Sequence, residues 1–290
     1  MTTLKPVAVN LAGIVETPQF GSSPFGIDVD GRPYVPVGDG GVVTGLELGH
    51  RVFDHDGDHA APGVTVIHPD PAARHALTSF ACLGNEVVVR SGAAAGETGR
   101  VLGKRGEAGR VIAVFEQQAL ALLVPGDALM IRGIGQGLSL PAELAAEGAA
   151  VLNIAPGALA ALGVTIGSVI STSVRAVVPS KLVGNGLGRP AQQWDVDLSV
   201  TRETAGGWGL ADLCLGDLVL VSDLDVRHNI GYRQGWSTLG VIVHGASPLP
   251  GHGPGLMPVV CARTDSFAPT IDPRDHRGAT LERIACENRD

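Results

Sequence analysis

Short stretches of alternating apolar and polar residues run along the chain, and turn residues separate them. A period of two places alternate side chains on opposite faces, which is typical of β-strands. The stretches are bounded by Gly, Pro, Asn and Asp, the residues that favour turns. The segments predicted as strands are residues 5–14, 41–49, 63–69, 86–90, 99–103 and 110–115.

A second pattern is a Gly-Asp pair at a turn that precedes an apolar strand. It occurs in residues 122–132 (LLVPGDALMIR) and 212–223 (DLCLGDLVLVSD), and residues 163–174 carry Gly-Ser in its place. Gly supplies the turn dihedral, and the Asp or Ser side chain can accept hydrogen bonds from backbone amides across the turn. We interpret these turns as structural features of a small β-barrel.

Helical signals are few. Residues 71–82 begin with Pro and carry apolar residues at helical spacing, and residues 141–147 and 155–162 predict shorter helices. Residues 18–40 and 246–258 are rich in Gly and Pro, which predicts loops. The predicted fold is therefore mainly β, with barrel-like or sandwich sheets and helix below about a quarter of the residues.

The domain organisation follows from the absence of a convincing linker. Residues 1–264 predict a single compact β-rich unit, and two lobes dividing near residue 150 are an alternative. Residues 265–290 are polar and charged and predict a peripheral C-terminal tail.

Composition narrows the class of protein. The chain has 41 Gly and 19 Pro, which fits a turn-rich β fold. A net charge of −8 without a basic block argues against nucleic-acid binding, and no apolar run is long enough for a membrane helix. The scattered cysteines (four in all) and the lack of a signal-like N-terminus predict reduced core thiols in a cytoplasmic protein. We expect a homodimer or a higher homo-oligomer that binds a small molecule.

Residues 54–59 (DHDGDH) hold the densest set of chemical groups in the sequence. Asp54, Asp56 and Asp58 alternate, so they would share a face on a strand, or converge on a cation in a loop. Ca²⁺ or Mg²⁺ would take mainly the carboxylates, whereas Zn²⁺, Mn²⁺ or Fe²⁺ would also need His55 or His59. The predicted metal ligands are Asp54, Asp56, Asp58 and His59.

The same stretch also fits chemistry without a metal. Close carboxylates raise one another's pKa, which could give a general acid or base near neutral pH. A solvated acidic turn is the remaining alternative. No cofactor is certain, because the stretch lacks the Glu that ends an EF-hand loop and the chain lacks H-E-x-x-H.

Two further histidines lie in a Gly-rich region. His252 stands in Gly251-His252-Gly253, where exposed backbone amides could help to bind a carboxylate or an oxyanion. His244 ends an apolar strand, so it is either a substrate-binding residue or a core histidine bonded to a carbonyl. We predict Asp58, His59 and His252 as catalytic residues that meet in one cleft.

Other polar residues are candidates for substrate binding. Residues 133–137 and 184–188 are Gly-rich segments after apolar strands, and neither fits a dinucleotide fingerprint. We interpret both as ligand-lining loops or tight turns. The remaining predicted substrate-binding residues are Asn85, Glu86, Asn185 and Tyr232, and Asp195 and Asp197 alternate so that they could share a face.

Several phrases occur together in one order: DGDHAAPGVTV (56–66), GKRGEAGRVIAVF (103–115), LNIAPGAL (152–159), VPSKLVGNGLG (178–188) and GVIVHGASPLPGHGPG (240–255). In this combination the chain resembles the family called domain of unknown function 4438, over roughly residues 8–262. The resemblance implies one family fold and leaves the activity open.

A weaker resemblance is local. Asp58-His59-Ala60 and LGDLVLVSDLDV (215–226) are similar to pieces of the acetamidase/formamidase family, although in a different order. That family is β-rich and hydrolyses small amides with a metal-supported acidic site.

Together these features predict an enzyme that acts on a small polar molecule by acid/base or metal-assisted chemistry. Amide or lactam hydrolysis, cyclisation and elimination are the reaction types considered, which makes the chain a hydrolase, a cyclase or a lyase. The alternative is a small-ligand-binding or structural β-protein without catalysis. An enzyme requires Asp58, His59 and His252 in one pocket, whereas a structural role allows them to be dispersed.

Overall fold

The computed structural model of the chain describes residues 7–18, 25–36, 38, 40–106, 109–272 and 278–284. Strands account for 38% and helices for 16% of the structure, which confirms the predicted mainly β fold. In chain order the strands are β1 (Val9–Val15), β2 (Gly26–Ile27), β3 (Pro33–Tyr34), β4 (Val42–Val43), β5 (Gly63–Ile67), β6 (Glu86–Val89), β7 (Thr98–Arg105), β8 (Arg110–Phe115), β9 (Ala128–Gly133), β10 (Ala150–Val151), β11 (Thr165–Ile166), β12 (Ile170–Val174), β13 (Ala176–Pro179), β14 (Val196–Asp197), β15 (Leu218–Asp225), β16 (Gly231–His244), β17 (Gly255–Arg263) and β18 (Phe267–Ile271).

The helices are short, and the longest has ten residues. It begins at Pro71, and the side chain of Asp70 accepts a hydrogen bond from the backbone N–H of Ala73, which satisfies one of the amides left open at a helix start. Among the residues that the structure describes, no helix has the length and apolar character needed to cross a membrane. The helices are α1 (Pro71–Phe80), α2 (Gln117–Leu120), α3 (Ala142–Ala146), α4 (Pro156–Ala161), α5 (Arg202–Ala205) and α6 (Leu281–Ile284), and single 3-10 turns lie at Ser180–Leu182, Gly206–Trp208 and Thr264–Ser266.

Six strands of the N-terminal half form a closed antiparallel barrel. Their order is β1-β9-β6-β7-β8-β5, and β5 returns to pair with β1. Alternate residues along these strands are buried together, so the barrel is filled with side chains and contains a packed core. Representative members of this core are Val15, Val66, Val87, Val101, Val111 and Ile131.

A second sheet packs against the outside of the barrel. Its strand order is β10-β17-β16-β15-β13, and β14 pairs with β17 outside this path. Leu102 and Ile112 of the barrel belong to the same core cluster as Val243 and Met257 of the second sheet. Gly103 permits the approach, because a Cβ at this position would clash with Val243. Residues of both halves are therefore joined by one apolar interface.

The two Gly-Asp turns form as predicted. Asp127 Oδ2 accepts a hydrogen bond from the Val124 N–H at 3.0 Å, and Asp217 Oδ2 accepts one from the Cys214 N–H at 2.8 Å. Asp217 differs in one respect, since its Oδ2 also accepts from Arg175 Nε at 2.9 Å, and both of these side chains are buried. The first turn leads into barrel strand β9 and the second into β15 of the other sheet.

Some of residues 265–290, which were predicted as a peripheral tail, pack into the fold. Strand β18 pairs in parallel with β12, with Phe267 opposite Ile170. Ala279 and Ile284 are buried in the core that joins the two halves. Their short apolar segments lie among charged residues, so the sequence carries no clear period there. Residues 273–277 and 285–290, with Cys286, lie outside the described residues.

Two other predicted boundaries differ from the structure. Strand β17 begins at Gly255, within the region 246–258 that was predicted as a loop, and Pro258 lies at a register shift where β17 pairs with β16. Proline in a strand is confined to edges and bulges, so the shift accommodates it. The strand that ends at His244 extends over 14 residues as β16, so it reaches beyond the apolar stretch and includes Tyr232.

The cysteines that the structure describes lie in the interior, which agrees with the predicted core thiols. Cys82, Cys214 and Cys261 are all buried. Burial raises the pKa of each thiol to about 11, so the thiolate that reacts with electrophiles or metals is scarce at neutral pH. These three side chains therefore contribute to packing.

Candidate functional site

Three histidines and three aspartates meet beside strand β17. They come from segments far apart in the chain, around residues 58, 196 and 250. Two groups of three have ligand-type atoms that all lie within 4.8 Å of one another. The residues of this His–Asp cluster are Asp58, His59, Asp195, Asp197, His244 and His252.

Gly255 provides the space in which the cluster forms. It starts β17, and it is paired with Asp197 of β14 on one side and with His244 of β16 on the other. A Cβ at position 255 would clash with His244 Nε2 and with Asp195 Oδ2. Because glycine has no side chain, the polar groups of the neighbouring strands can meet across it.

The loop that carries His59 is fastened to the loop that follows β16. The His59 N–H donates to the Ala246 carbonyl at 3.0 Å, and the Gly245 N–H donates to the Ala60 carbonyl at 2.8 Å. His59 has φ of 51°, in the left-handed region that non-glycine residues seldom adopt. Such strain persists where the surroundings impose it, and it is concentrated at functional sites.

Asn185 joins the remaining segments through its backbone. Its N–H donates to the Gly251 carbonyl at 2.9 Å, next to His252, and its carbonyl accepts from the Asp197 N–H at 3.1 Å. The Gly-rich segment 184–188 thus acts as a tight turn that positions two members of the cluster.

The first group of ligand-type atoms contains His59, His252 and Asp197. His59 Nε2 lies 2.9 Å from His252 Nδ1, and Asp197 Oδ2 lies 2.9 Å from His252 Nδ1 and 3.4 Å from His59 Nε2. Asp197 is buried, yet its Oδ2 accepts no well-aligned hydrogen bond. The His252 side chain is 23% exposed, so solvent reaches the group from its side.

The second group contains His244, Asp195 and again Asp197. His244 Nε2 lies 2.8 Å from Asp195 Oδ2 and 3.4 Å from Asp197 Oδ1. All three side chains are buried, and Asp195 Oδ2 accepts no well-aligned hydrogen bond. Asp197 thus presents one carboxylate oxygen to each group.

Asp58 supports His59 from behind. His59 Nδ1 donates to Asp58 Oδ1 at 2.7 Å, Ser247 Oγ donates to the same oxygen at 2.7 Å, and the Tyr34 hydroxyl donates to Oδ2 at 2.8 Å. Burial acts to raise the pKa of Asp58, but these donors, led by His59, outweigh it and lower the pKa to about 2. Asp58 is therefore an ionised carboxylate that fixes the orientation of the His59 ring.

The buried carboxylates also change the basicity of the histidines. Burial alone would lower the pKa of His244, but Asp195 and Asp197 raise it to about 10. The pKa of His59 is raised in the same way by Asp197 and Asp58, against the effect of burial. Burial would raise the pKa of Asp197, yet the neighbouring histidines hold it well below its usual range. Buried negative charge here requires positive charge beside it, either protons or cations.

The structure brings together some of the residues predicted from the sequence. His252 contacts His59, and Asp58 and His244 lie beside them. Asp54 and Asp56 do not join them: both are exposed, and Asp54 pairs with Arg202 at 3.3 Å. Residues 54–58 form bends and irregular loop rather than a strand, so their alternation does not place the three aspartates on one face.

Three predicted substrate-binding residues lie in structural roles. Asn85 Nδ2 donates to the Ile134 carbonyl at 2.8 Å, and Glu86 lies 3.6 Å from Arg100 across the barrel strands β6 and β7. The Tyr232 hydroxyl donates to the carbonyl of Val183 at 2.9 Å.

Several residues at the site carry no clear signal in the sequence. Asp195 and Asp197 were marked only by their alternation, and Gly255 was one glycine among many. Tyr34 and Ser247 carry no signal that links them to Asp58, because these contacts depend on the tertiary fold.

A cavity of about 750 Å³ lies along residues 133–137, which the sequence had marked as a ligand-lining loop. Its walls include Phe80, Leu138 and Leu159. The Gln136 side chain is turned to the protein, with Nε2 donating to Asn153 Oδ1 at 2.8 Å. The groove therefore offers mostly apolar contacts, and its chemistry differs from that of the His–Asp cluster.

Comparison with known proteins relates most of the chain to a family of unknown function. A family model described as "Domain of unknown function (DUF4438), N-terminal" matches residues 25–160, and the corresponding C-terminal model matches residues 163–279. A solved structure described as "Crystal structure of TM1086" is similar, with 31% sequence identity and a TM-score of 0.88 over 94% of this chain and 95% of that chain. No curated protein matches the chain. The His–Asp cluster takes residues from both matched regions.

Proposed function

The chain belongs to the DUF4438 family, and from the geometry of its His–Asp cluster we propose that it is a metal-dependent enzyme acting on a small polar molecule. The proposed metal ligands are His59 Nε2, His252 Nδ1 and Asp197 Oδ2. Amide or lactam hydrolysis, cyclisation and elimination are the reaction types that this site would serve.

One observation carries the proposal: the buried Asp197 Oδ2 lies close to two imidazole nitrogens, but neither contact has the alignment of a hydrogen bond. Two ligands bound at about 2.0–2.1 Å to one ion lie roughly 2.9 Å apart at a right angle and roughly 3.4 Å apart at a tetrahedral angle. The three separations in this group are 2.9, 2.9 and 3.4 Å. A cation between these atoms would satisfy the carboxylate oxygen and both nitrogens together.

The donor set indicates which ions would bind. Two imidazoles and one carboxylate suit Zn²⁺, Fe²⁺, Co²⁺ or Ni²⁺ and are unsuited to Ca²⁺ or Mg²⁺, which prefer oxygen ligands alone. A metal of this kind supplies Lewis acidity towards a carbonyl or hydroxyl oxygen of the substrate. Three protein ligands leave coordination positions for the substrate, and the exposed edge of His252 marks the side from which it enters.

The protein's own groups orient the ligands. Asp58 accepts the Nδ1 proton of His59, which keeps Nε2 turned towards Asp197. A carboxylate behind a histidine ligand fixes its tautomer and raises its basicity. Tyr34 and Ser247 in turn hold the carboxylate of Asp58 in place.

Metal content distinguishes this proposal from the metal site predicted by sequence alone. The full-length protein is purified without chelator and its bound transition metals are measured by inductively coupled plasma mass spectrometry. The Asp197→Asn variant should lose the metal, because it keeps the shape of the side chain and removes its charge. Asp54→Asn should retain it, since Asp54 is exposed and paired with Arg202. The reverse pattern would place the metal in the acidic stretch 54–58.

Activity is tested on the metal-loaded wild type with a panel of small amides, lactams and hydroxy acids. Turnover that chelation removes and added metal restores would support the enzyme. Wild-type protein without metal, and unable to bind Zn²⁺ on titration, would contradict the proposal. Metal binding with no turnover across the panel would favour the alternative of a ligand-binding protein.

Replacing Asp58 by Asn should weaken metal binding about 10–100-fold, the usual cost of losing a carboxylate behind a metal-bound histidine. The variant keeps the size of the side chain but removes the charge that supports His59. The dissociation constant for Zn²⁺, measured by competition with a chromophoric chelator, tests this. Asp56→Asn is the matched control, because Asp56 is exposed and lies two positions away. Equal affinities for the two variants would show that Asp58 does not support the metal.

A further inference from the structure

The metal position proposed above uses the first group of ligand-type atoms in the His–Asp cluster. The second group also consists of buried histidine and aspartate side chains. We infer that a second divalent metal ion binds between His244 Nε2, Asp195 Oδ2 and Asp197 Oδ1, so that Asp197 bridges two ions. This inference rests on the proposed function, because the bridge requires an ion at the first position.

The short distances in the second group do not correspond to well-aligned hydrogen bonds between its members. His244 Nε2 lies 2.8 Å from Asp195 Oδ2 and 3.4 Å from Asp197 Oδ1. The three side chains are between 1% and 4% exposed, so bulk water does not reach their polar atoms. Asp195 Oδ2 nevertheless accepts no well-aligned hydrogen bond. Leaving a buried carboxylate oxygen without a partner is costly, and a cation at this point would remove the cost.

The orientation of His244 fits a ligand. Its Nδ1 lies 2.9 Å from the Gly245 carbonyl oxygen. Because a carbonyl oxygen can only accept a hydrogen bond, Nδ1 carries the proton and donates it. Metal-bound histidines usually donate their other N–H to a carbonyl or carboxylate, and this contact leaves the lone pair of Nε2 facing the metal. His59 has the same arrangement, with Asp58 in place of the carbonyl.

The two aspartates divide their oxygens in a matching way. Asp195 Oδ1 accepts from the Gly106 N–H at 3.2 Å, which leaves Oδ2 directed at His244. Asp197 places Oδ2 near His252 and Oδ1 near His244. Each oxygen of Asp197 therefore belongs to a different group of three ligand atoms. Enzymes with two metal ions about 3.5–4 Å apart use them to stabilise both the attacking and the leaving oxygen of a displacement.

Gly255 keeps space at the second position. Its missing Cβ would lie against both His244 Nε2 and Asp195 Oδ2. A larger residue would fill the point between the two proposed ligand atoms. The close approach of these groups thus requires glycine at position 255.

A protonated His244 is the competing explanation. An imidazolium between Asp195 and Asp197 would also neutralise their charge, and it would give one metal per chain instead of two. Metal binding would displace this proton, since histidine ligands must be neutral. Metal stoichiometry separates the two explanations.

The experiment uses the full chain, stripped of metal with a chelator and dialysed against Zn²⁺ in excess. Bound metal is then measured by mass spectrometry against protein concentration. We expect two ions per chain in the wild type and one in Asp195→Asn, which retains His59, His252 and Asp197. Loading with Mn²⁺ should give the broad electron paramagnetic resonance spectrum of a coupled pair in the wild type and the spectrum of an isolated ion in the variant.

Each other outcome has a defined meaning. One ion in both proteins would overturn the second position and leave the proposed function standing. Two ions in both proteins would overturn it as well, because the second ion would then bind elsewhere. A wild type that binds no metal would remove both the inference and the proposed function. If Asp195→Asn fails to fold, the wild-type stoichiometry and the presence or absence of a coupled Mn²⁺ spectrum decide.

Discussion

Replacing His252 by Ala should lower turnover about 10²–10⁴-fold, the usual loss when a catalytic acid, base or equivalent group is removed. His252 is the exposed ligand of the proposed first metal and stands where substrate would enter. Because it lies in a Gly-rich loop, its loss should cost only about 0–1 kcal/mol of unfolding free energy. The expected profile is a folded protein with little activity.

The assay uses a compound that the wild type turns over in the panel of amides, lactams and hydroxy acids, together with metal content and melting temperature. His228→Ala is the matched control, since His228 is an exposed histidine in another loop. Wild-type turnover in His252→Ala would show that this residue does not take part in the reaction. Equal losses in the two variants would point to a general effect of removing a histidine.

Replacing Asp217 by Ala should have the opposite profile, with lower stability and unchanged intrinsic turnover. Its carboxylate is buried, holds the Cys214 N–H in the turn and lies 2.9 Å from Arg175 Nε. Removing one partner of a buried ion pair typically costs about 3–5 kcal/mol. Chemical denaturation followed by circular dichroism measures the loss.

Asp127→Ala separates the turn from the ion pair. Asp127 forms the same hydrogen bond in the same type of turn, to the Val124 N–H. Val124 is exposed, so water can replace this bond, and we expect a cost of only about 0.5–1.5 kcal/mol. Equal costs for the two variants would mean that the pair with Arg175 adds nothing to stability.

The local features of the fold were accessible from the sequence. Pro71 marks the start of α1, and the barrel strands β6, β7 and β8 follow from the apolar stretches in residues 86–115. The side chains of Asp127 and Asp217 bond across their turns as expected. In each case the signal and the structure it predicts lie within a few residues of each other.

The site was accessible only in part, because it depends on pairing between distant strands. Asp58, His59 and His252 were selected for their chemistry, and the structure places them together. Asp197 reaches them because β14 pairs with the first residues of β17. Nothing near residue 197 in the sequence indicates that register, so its central position was missed.

The same limit explains why some residues were predicted as metal ligands but do not join the His–Asp cluster. Asp54 and Asp56 belong to a dense acidic stretch, but the chain bends there and leaves both side chains in solvent. Residues that are close in the sequence form a site only when the backbone conformation brings their side chains together in space. The C-terminal segments show the converse, because β18 and Ile284 become part of the fold through contacts with residues more than 80 positions away, such as Ile170.

The most direct test of the account is an anomalous-difference map from a crystal of the metal-loaded wild type, collected at the absorption edge of the bound metal. The account predicts a peak within about 2.0–2.2 Å of His59 Nε2, His252 Nδ1 and Asp197 Oδ2. A second peak beside His244 and Asp195 would be the ion inferred to share Asp197. A map with no peak between His59, His252 and Asp197, in a crystal where these side chains keep the separations described above, would contradict the proposed metal centre.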